Sequence, residues 1–205
     1  MEKIVYSQAS LSQLRQRFRL LIEYGSFLPA IPALPAPAWL KESLKLGQQS
    51  MILKTEKQAS EWLIGPILLA LKQSNSSRIG VFSGVPLNVG DFIGICDFLI
   101  SSSPLPFFNE APLMAVVEAK RQELDLGIPQ CVAEMLAAQQ LATQLGQAEL
   151  PVFGCVTTGD AWQFLRLQDR NLIIGTRLFY LVEVETILGV FQWVIDQFTD
   201  NKLAT

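Results

Sequence analysis

Three short runs rich in Val, Ile and Phe, at 79–87, 92–100 and 113–120, follow one another with only Gly-, Asn-, Ser- and Pro-containing segments between them. Runs of that length and composition, bounded by turn residues, read as strands, and three in succession commit the middle of the chain to a sheet. On the N-terminal side, Thr55 with Gln58 forms a capping-box start for a helix to about residue 72, which Pro66 should kink. On the C-terminal side, Pro129 opens a helix rich in Ala, Leu and Gln that runs to about 145. Strand patterns return at 152–158, 161–167 and 178–182, with Thr158, Gly159 and Asp160 as turn residues between the first two. A last helix at 183–198 carries Ile187, Val190, Phe191, Val194, Ile195 and Phe198 on one face. The order is helix, three strands, helix, strands, helix.

The first fifty residues read differently. Leu11, Leu14, Phe18, Leu21 and Ile22 recur at three- and four-residue spacing, which predicts an amphipathic helix over 10–24 that stops at Gly25. Pro29, Pro32, Pro35 and Pro37 then remove backbone donors and hold the chain extended, so this stretch is a linker or a wrapping arm. A short helix at 39–46 ends at Gly47. At 205 residues the chain suits one large domain with a small addition. The expected division is a helical N-terminal appendage at 1–50 and a core at 51–205.

Composition narrows the chemistry. The chain contains no histidine, which removes Ser-His-Asp and Cys-His nucleophile pairs, HExxH zinc sites and an imidazole base. Carboxylates, lysine, tyrosine, thiols and bound hard cations remain. Cys96, Cys131 and Cys155 are odd in number and widely spaced within apolar stretches, and so are expected as buried free thiols. The N-terminus lacks the apolar run of a signal peptide, and the longest apolar windows fall short of the ~20 residues of a spanning helix. A cytoplasmic protein with no membrane partner is the expectation. Sixteen Lys and Arg against nineteen Asp and Glu leave a net charge of −3, so any contact with a polyanion must be local.

Within the third strand run, Val116, Glu118 and Lys120 alternate, so their side chains share a face. A carboxylate and an amine emerging together from an apolar strand must face water, pair, or bind something. In the preceding run Ile93, Ile95, Asp97 and Leu99 share a face, which makes Asp97 one acid in a line of aliphatics. If the two runs pair as antiparallel neighbours, Asp97 and Glu118 come within about one strand spacing of ~4.8 Å. A divalent cation would relieve the repulsion between them; an Asp97–Lys120 salt bridge without metal is the competing reading.

Asp97 followed by Glu118-Ala119-Lys120, in this order of helices and strands, resembles the PD-(D/E)XK nuclease superfamily, with Cys96 where the motif has proline. The likeness covers 55–182. It implies an α/β fold of restriction endonuclease-like type, a three-layer core with a mixed β-sheet flanked by helices. It also implies a magnesium- or manganese-dependent nuclease acting on DNA, in which Asp97, Glu118, Lys120 and Gln130 are catalytic and Asp97, Glu118 and Glu61 hold the metal, with Glu56 a less favoured choice than Glu61. Gln130 enters because the PQCVAEM segment resembles the Gln-bearing helix of some branches. The alternative is a non-enzymatic member acting as a binding or assembly module.

Arg15 with Arg19 and Lys41 with Lys45, each at four-residue spacing, are the candidate nucleic-acid contacts, although such pairs are more often solvated faces. A homodimer is compatible with this reading. Trp39, Trp62, Trp162 and Trp193 are expected in the core.

Overall fold

The computed structural model of the protein describes residues 3–50, 55–105, 111–120 and 123–200. Its centre is a mixed seven-stranded sheet covered by helices on both faces. The strands are β2 (Leu21–Gly25), β3 (Gly80–Pro86), β5 (Ile95–Ser101), β6 (Leu113–Ala119), β7 (Val152–Thr157), β8 (Ala161–Gln168) and β9 (Asn171–Tyr180), in the spatial order β2-β9-β8-β7-β6-β5-β3. A separate two-stranded sheet joins β1 (Ile4–Val5) to β4 (Phe92–Ile93).

Strands β3, β5 and β6 form an antiparallel run, and β6 then pairs in parallel with β7. A parallel partner needs a crossover, and α5 (Ile128–Gln144) supplies it. Both β6 and β7 are buried along their whole length, which accounts for their continuous apolar sequences. Helix α5 lies close to β7 because Gly154 offers no side chain: a Cβ there would fall 2.5 Å from Met135 Sδ and 2.8 Å from Cys131 Sγ.

One face of the sheet packs on α2 (Ala38–Ser50), α4 (Gly65–Ser74) and α6 (Val184–Asp200), through Leu40, Leu44, Ile64, Ile67, Phe191 and Phe198 among others. The other packs on α1 (Leu11–Phe18) and α5, through Leu14, Val132, Met135 and Leu136. The helix entering α4 begins with α3 (Glu56–Ala59), capped by Thr55, and passes through a π-turn at Ser60–Ile64. Pro66 has no N–H to offer the preceding turn, and the Gly65 N–H reaches back five residues to the Ser60 carbonyl. The expected kink is therefore a π-turn. Trp162 is in the core as expected, whereas Trp39 and Trp62 are partly exposed, at 38% and 42%. The three cysteines are buried free thiols.

Residues 21–25, within the expected N-terminal appendage, instead join the main sheet. Helix α1 ends at Phe18, where Arg19 turns left-handed (φ 53°), and 21–25 is not helix but the edge strand β2, pairing in parallel with β9. Gly25 lies inside that strand. The proline-bearing stretch is a wrapping arm: the Leu34 N–H donates to the Glu185 carbonyl, and Phe27 packs against Phe153. Among the described residues no helix is long and apolar enough to cross a membrane.

Candidate functional site

Lys120 is held at the C-terminal end of β6 because its N–H donates to the Thr157 carbonyl at 2.7 Å, one step beyond the last paired residues Ala119 and Thr157. Its stem is packed by Gly127, the residue before α5, where a Cβ would lie 2.8 Å from Lys120 Cγ and 2.5 Å from Val156 Cγ1. Two residues upstream, Glu118 is only 1% exposed. The Lys120 ammonium donates to Glu118 Oε1 at 2.6 Å, and Glu118 Oε2 is buried with no hydrogen-bond partner.

Asp97 reaches the same place from β5. The register of β5 and β6 pairs Leu99 with Val116 and Phe98 with Val117, and one further step sets Asp97 opposite Glu118. Backbone pairing stops there, and Asp97 Oδ2 accepts the Ala119 N–H at 2.9 Å. A side-chain carboxylate thus takes a donor that a regular ladder would give to a carbonyl. The partner of Lys120 is Glu118, not the Asp97 of the competing salt-bridge reading.

Helix α5 completes the cluster. Gln130 accepts from Lys120 Nζ through Oε1 at 3.4 Å and donates through Nε2 to Glu134 Oε1 at 3.2 Å. Glu134 is fully buried, its Oε2 has no hydrogen-bond partner, and its carboxyl is close enough to that of Glu118 for the Glu118 charge to raise it. The sequence reading missed Glu134, although one signal was available: it is the lone charge in the CVAEMLAA stretch, one helical turn after Gln130.

Two expectations change on the helix side. Glu61, expected as a metal ligand, is half-exposed, and its contact is with Lys57 at 3.8 Å. Glu56 at the start of α3 is the acid whose charge reaches Asp97 and Lys120. Glu61 lies on the π-turn, where Leu63 and Ile64 take the buried positions. The candidate DNA contacts also separate. Arg15 and Arg19 belong to the α1 layer and Lys41 and Lys45 to the α2 layer on the opposite side of the sheet, with Lys41 bound to Glu185 at 2.7 Å, so the four do not line one groove.

The electrostatics follow from packing acids where water is scarce. Burial, and then the charge of Asp97, push the Glu118 carboxyl up to about 7 despite Lys120 beside it. Burial also raises Asp97, against the opposing pull of the Ala119 N–H and Lys120. Glu134 is raised well above the usual carboxylate range by burial and by the Glu118 charge. Burial pulls the Lys120 ammonium down, but the Glu118 carboxylate outweighs it and leaves Lys120 above the ordinary lysine value, hence charged.

A carboxyl whose folded pKa exceeds its unfolded one disfavours the native state once ionised. For Glu118 this penalty is absent below the unfolded value near 4.5 and complete above about 7. The metal-free protein is therefore expected to lose on the order of 3 kcal/mol between pH 4.5 and 8 through this group. Urea unfolding across that range should show the fall, and Glu118→Gln should flatten it; equal slopes in the two proteins would refute the assignment.

Among the described residues no group of three His, Cys, Asp or Glu side chains is arranged to hold a metal ion. The cluster offers a two-carboxylate pair, Asp97 and Glu118, with a lysine and an amide beside it. No protein-family model matches the chain, and no curated protein matches its sequence.

Proposed function

We propose that the protein is a magnesium-dependent nuclease that hydrolyses DNA phosphodiester bonds, built on a restriction endonuclease-like core. The observation that carries this reading is the meeting of Asp97, Glu118 and Lys120 where β5 and β6 part, beside the Gln130 amide. The succession of a helix, three antiparallel strands, a crossover helix and a parallel strand supports the core assignment.

The donor set suits magnesium, which binds through one or two carboxylates, waters and substrate phosphates rather than an all-protein cage. Asp97 and Glu118 would hold it, and Glu118 Oε2 has no hydrogen bond to give up. Manganese accepts the same oxygen ligands. The bound ion would supply Lewis-acid polarisation of the phosphate and a lowered pKa for water. Lys120, charged and held 2.6 Å from Glu118, orients water and stabilises the negative charge that develops on phosphorus oxygens. Gln130 fixes where that ammonium points.

The deciding experiment is cleavage of plasmid and single-stranded DNA with magnesium or manganese and with EDTA. Divalent-dependent cleavage by the wild type is expected; none on any DNA would favour a binding or assembly role. Thermal unfolding adds a readout that needs no substrate. Asp97→Asn keeps an acceptor for the Ala119 N–H while removing one of two facing charges, so the metal-free variant is expected to be as stable as wild type or more so by ~0.5–2 kcal/mol. Magnesium should raise the wild-type Tm and leave that of the variant unmoved. A destabilised variant and a wild type indifferent to magnesium would rule out the metal site.

A further inference from the structure

Glu134 has no role in the nuclease reading, yet its burial is costly. An ionisable side chain among Cys131, Val132, Ala133 and Met135, all fully buried, would be replaced at no loss by an apolar residue if it served only to fill space. Its contacts supply a reason. Lys120 Nζ binds Glu118 Oε1 at 2.6 Å and Gln130 Oε1 at 3.4 Å, and Gln130 Nε2 binds Glu134 Oε1 at 3.2 Å. Three contacts link four side chains, from the end of β6 to the buried Glu134 on α5.

A flipped Gln130 amide would set its NH₂ against the Lys120 ammonium, which has donors only, and lose that bond. In the surviving orientation Gln130 Nε2 points into the interior, and Glu134 Oε1 is the acceptor that meets it there.

We propose that Glu134 is a positioning residue: from the floor of the site it grips Gln130 Nε2, so that Gln130 Oε1 faces the Lys120 ammonium, and it backs Glu118 from behind. What the positioned groups accomplish rests on the nuclease reading; the positioning itself does not.

The test compares Glu134→Gln and Glu134→Met in the full chain. A glutamine accepts from Gln130 through its own oxygen and turns an N–H toward Glu118, whereas methionine fills the space and does neither. With DNA and magnesium, Glu134→Gln is expected within about threefold of wild-type kcat, and Glu134→Met ~10–100-fold lower with KM within about twofold. Gln130→Met should lose a similar factor, and the Gln130→Met/Glu134→Met double variant should lose no more than either single one. The second readout is the Gln130 side-chain amide in ¹H–¹⁵N spectra, assigned by its loss in Gln130→Met. Two resolved, slowly exchanging protons are expected in wild type and Glu134→Gln, and their collapse to rapid exchange in Glu134→Met.

Unchanged Gln130 signals in Glu134→Met, or their loss in Glu134→Gln, would overturn the proposal. So would a Glu134→Gln protein as inactive as Glu118→Gln, because Glu134 would then act as a carboxylate ligand. If Glu134→Met does not fold, the Glu134→Gln spectrum and the Gln130→Met kinetics still decide. If the wild type cleaves no DNA, the nuclease reading fails while the amide signals still test the positioning.

Discussion

Replacing Lys120 by alanine is expected to lower DNA cleavage by ~10²–10⁴-fold with little change in KM, and Glu118→Gln is expected to fall as far. The reason is geometric. The ammonium is fixed between Glu118 Oε1 and Gln130 Oε1 on a stem packed by Gly127. Loss of the lysine also leaves Glu118, 1% exposed, without its counter-charge. Breaking a buried pair from one side costs about 3–5 kcal/mol when the remaining charge has no escape. Glu118 already sits near 7 and escapes by taking a proton, so the Lys120→Ala protein should remain folded at neutral pH. Kinetics and urea unfolding on the same preparation check both halves; activity that survives both substitutions would place the chemistry elsewhere.

Tyr6→Ala is expected to destabilise the whole protein by ~3–5 kcal/mol, lowering the single unfolding transition by roughly 8–16 °C. Tyr6 is 1% exposed, stacks near Phe92 at 6.4 Å and donates its hydroxyl to the Leu87 carbonyl at 2.6 Å. A Cβ on Gly94 would clash with Tyr6 Cδ2, so the Gly94 backbone lies directly against the Tyr6 ring. Tyr6→Phe removes the hydroxyl alone and should cost about 1 kcal/mol. An N-terminal unit folding apart from the sheet would give the opposite result, with the main transition unmoved by either change. The Tyr6–Gln8 turn packs against α5, the helix that carries Gln130 and Glu134. Differential scanning calorimetry of the three proteins settles the matter.

The elements that the sequence made legible are those whose pattern is set locally. The runs that became β3, β5, β6 and β7 are short, Val/Ile-rich and bounded by turn residues, and α5 and α6 declare themselves by length and by an apolar face. Strand alternation was enough to set Glu118 and Lys120 on one face, and it singled out Asp97 as the odd acid in its row. The failures have a common cause. Leu21 and Ile22 continue the spacing of Leu11, Leu14 and Phe18, and only the left-handed turn at Arg19 and the partner strand β9 convert them into an edge strand. Most of β9 was also missed, because the tight connection at 169–170, with Asp169 at φ 51°, carries no glycine to announce a hairpin.

The sequence by itself determined the class of chemistry open to this chain, since the absence of histidine and the spacing of Asp97, Glu118 and Lys120 depend on nothing beyond covalent order and strand periodicity. Tertiary structure decided which other groups join them. On the π-turn ahead of Pro66 Glu61 is half-exposed and its contact is with Lys57, while Glu56 is the acid whose charge reaches the cluster. The crossover through α5 sets Gln130 and Glu134 against β6, and layer packing puts Arg15 and Arg19 on the opposite side of the sheet from Lys41 and Lys45. Those outcomes are set by long-range pairing and packing, whose energies depend on partners far away in the chain, so no local window of sequence contains them.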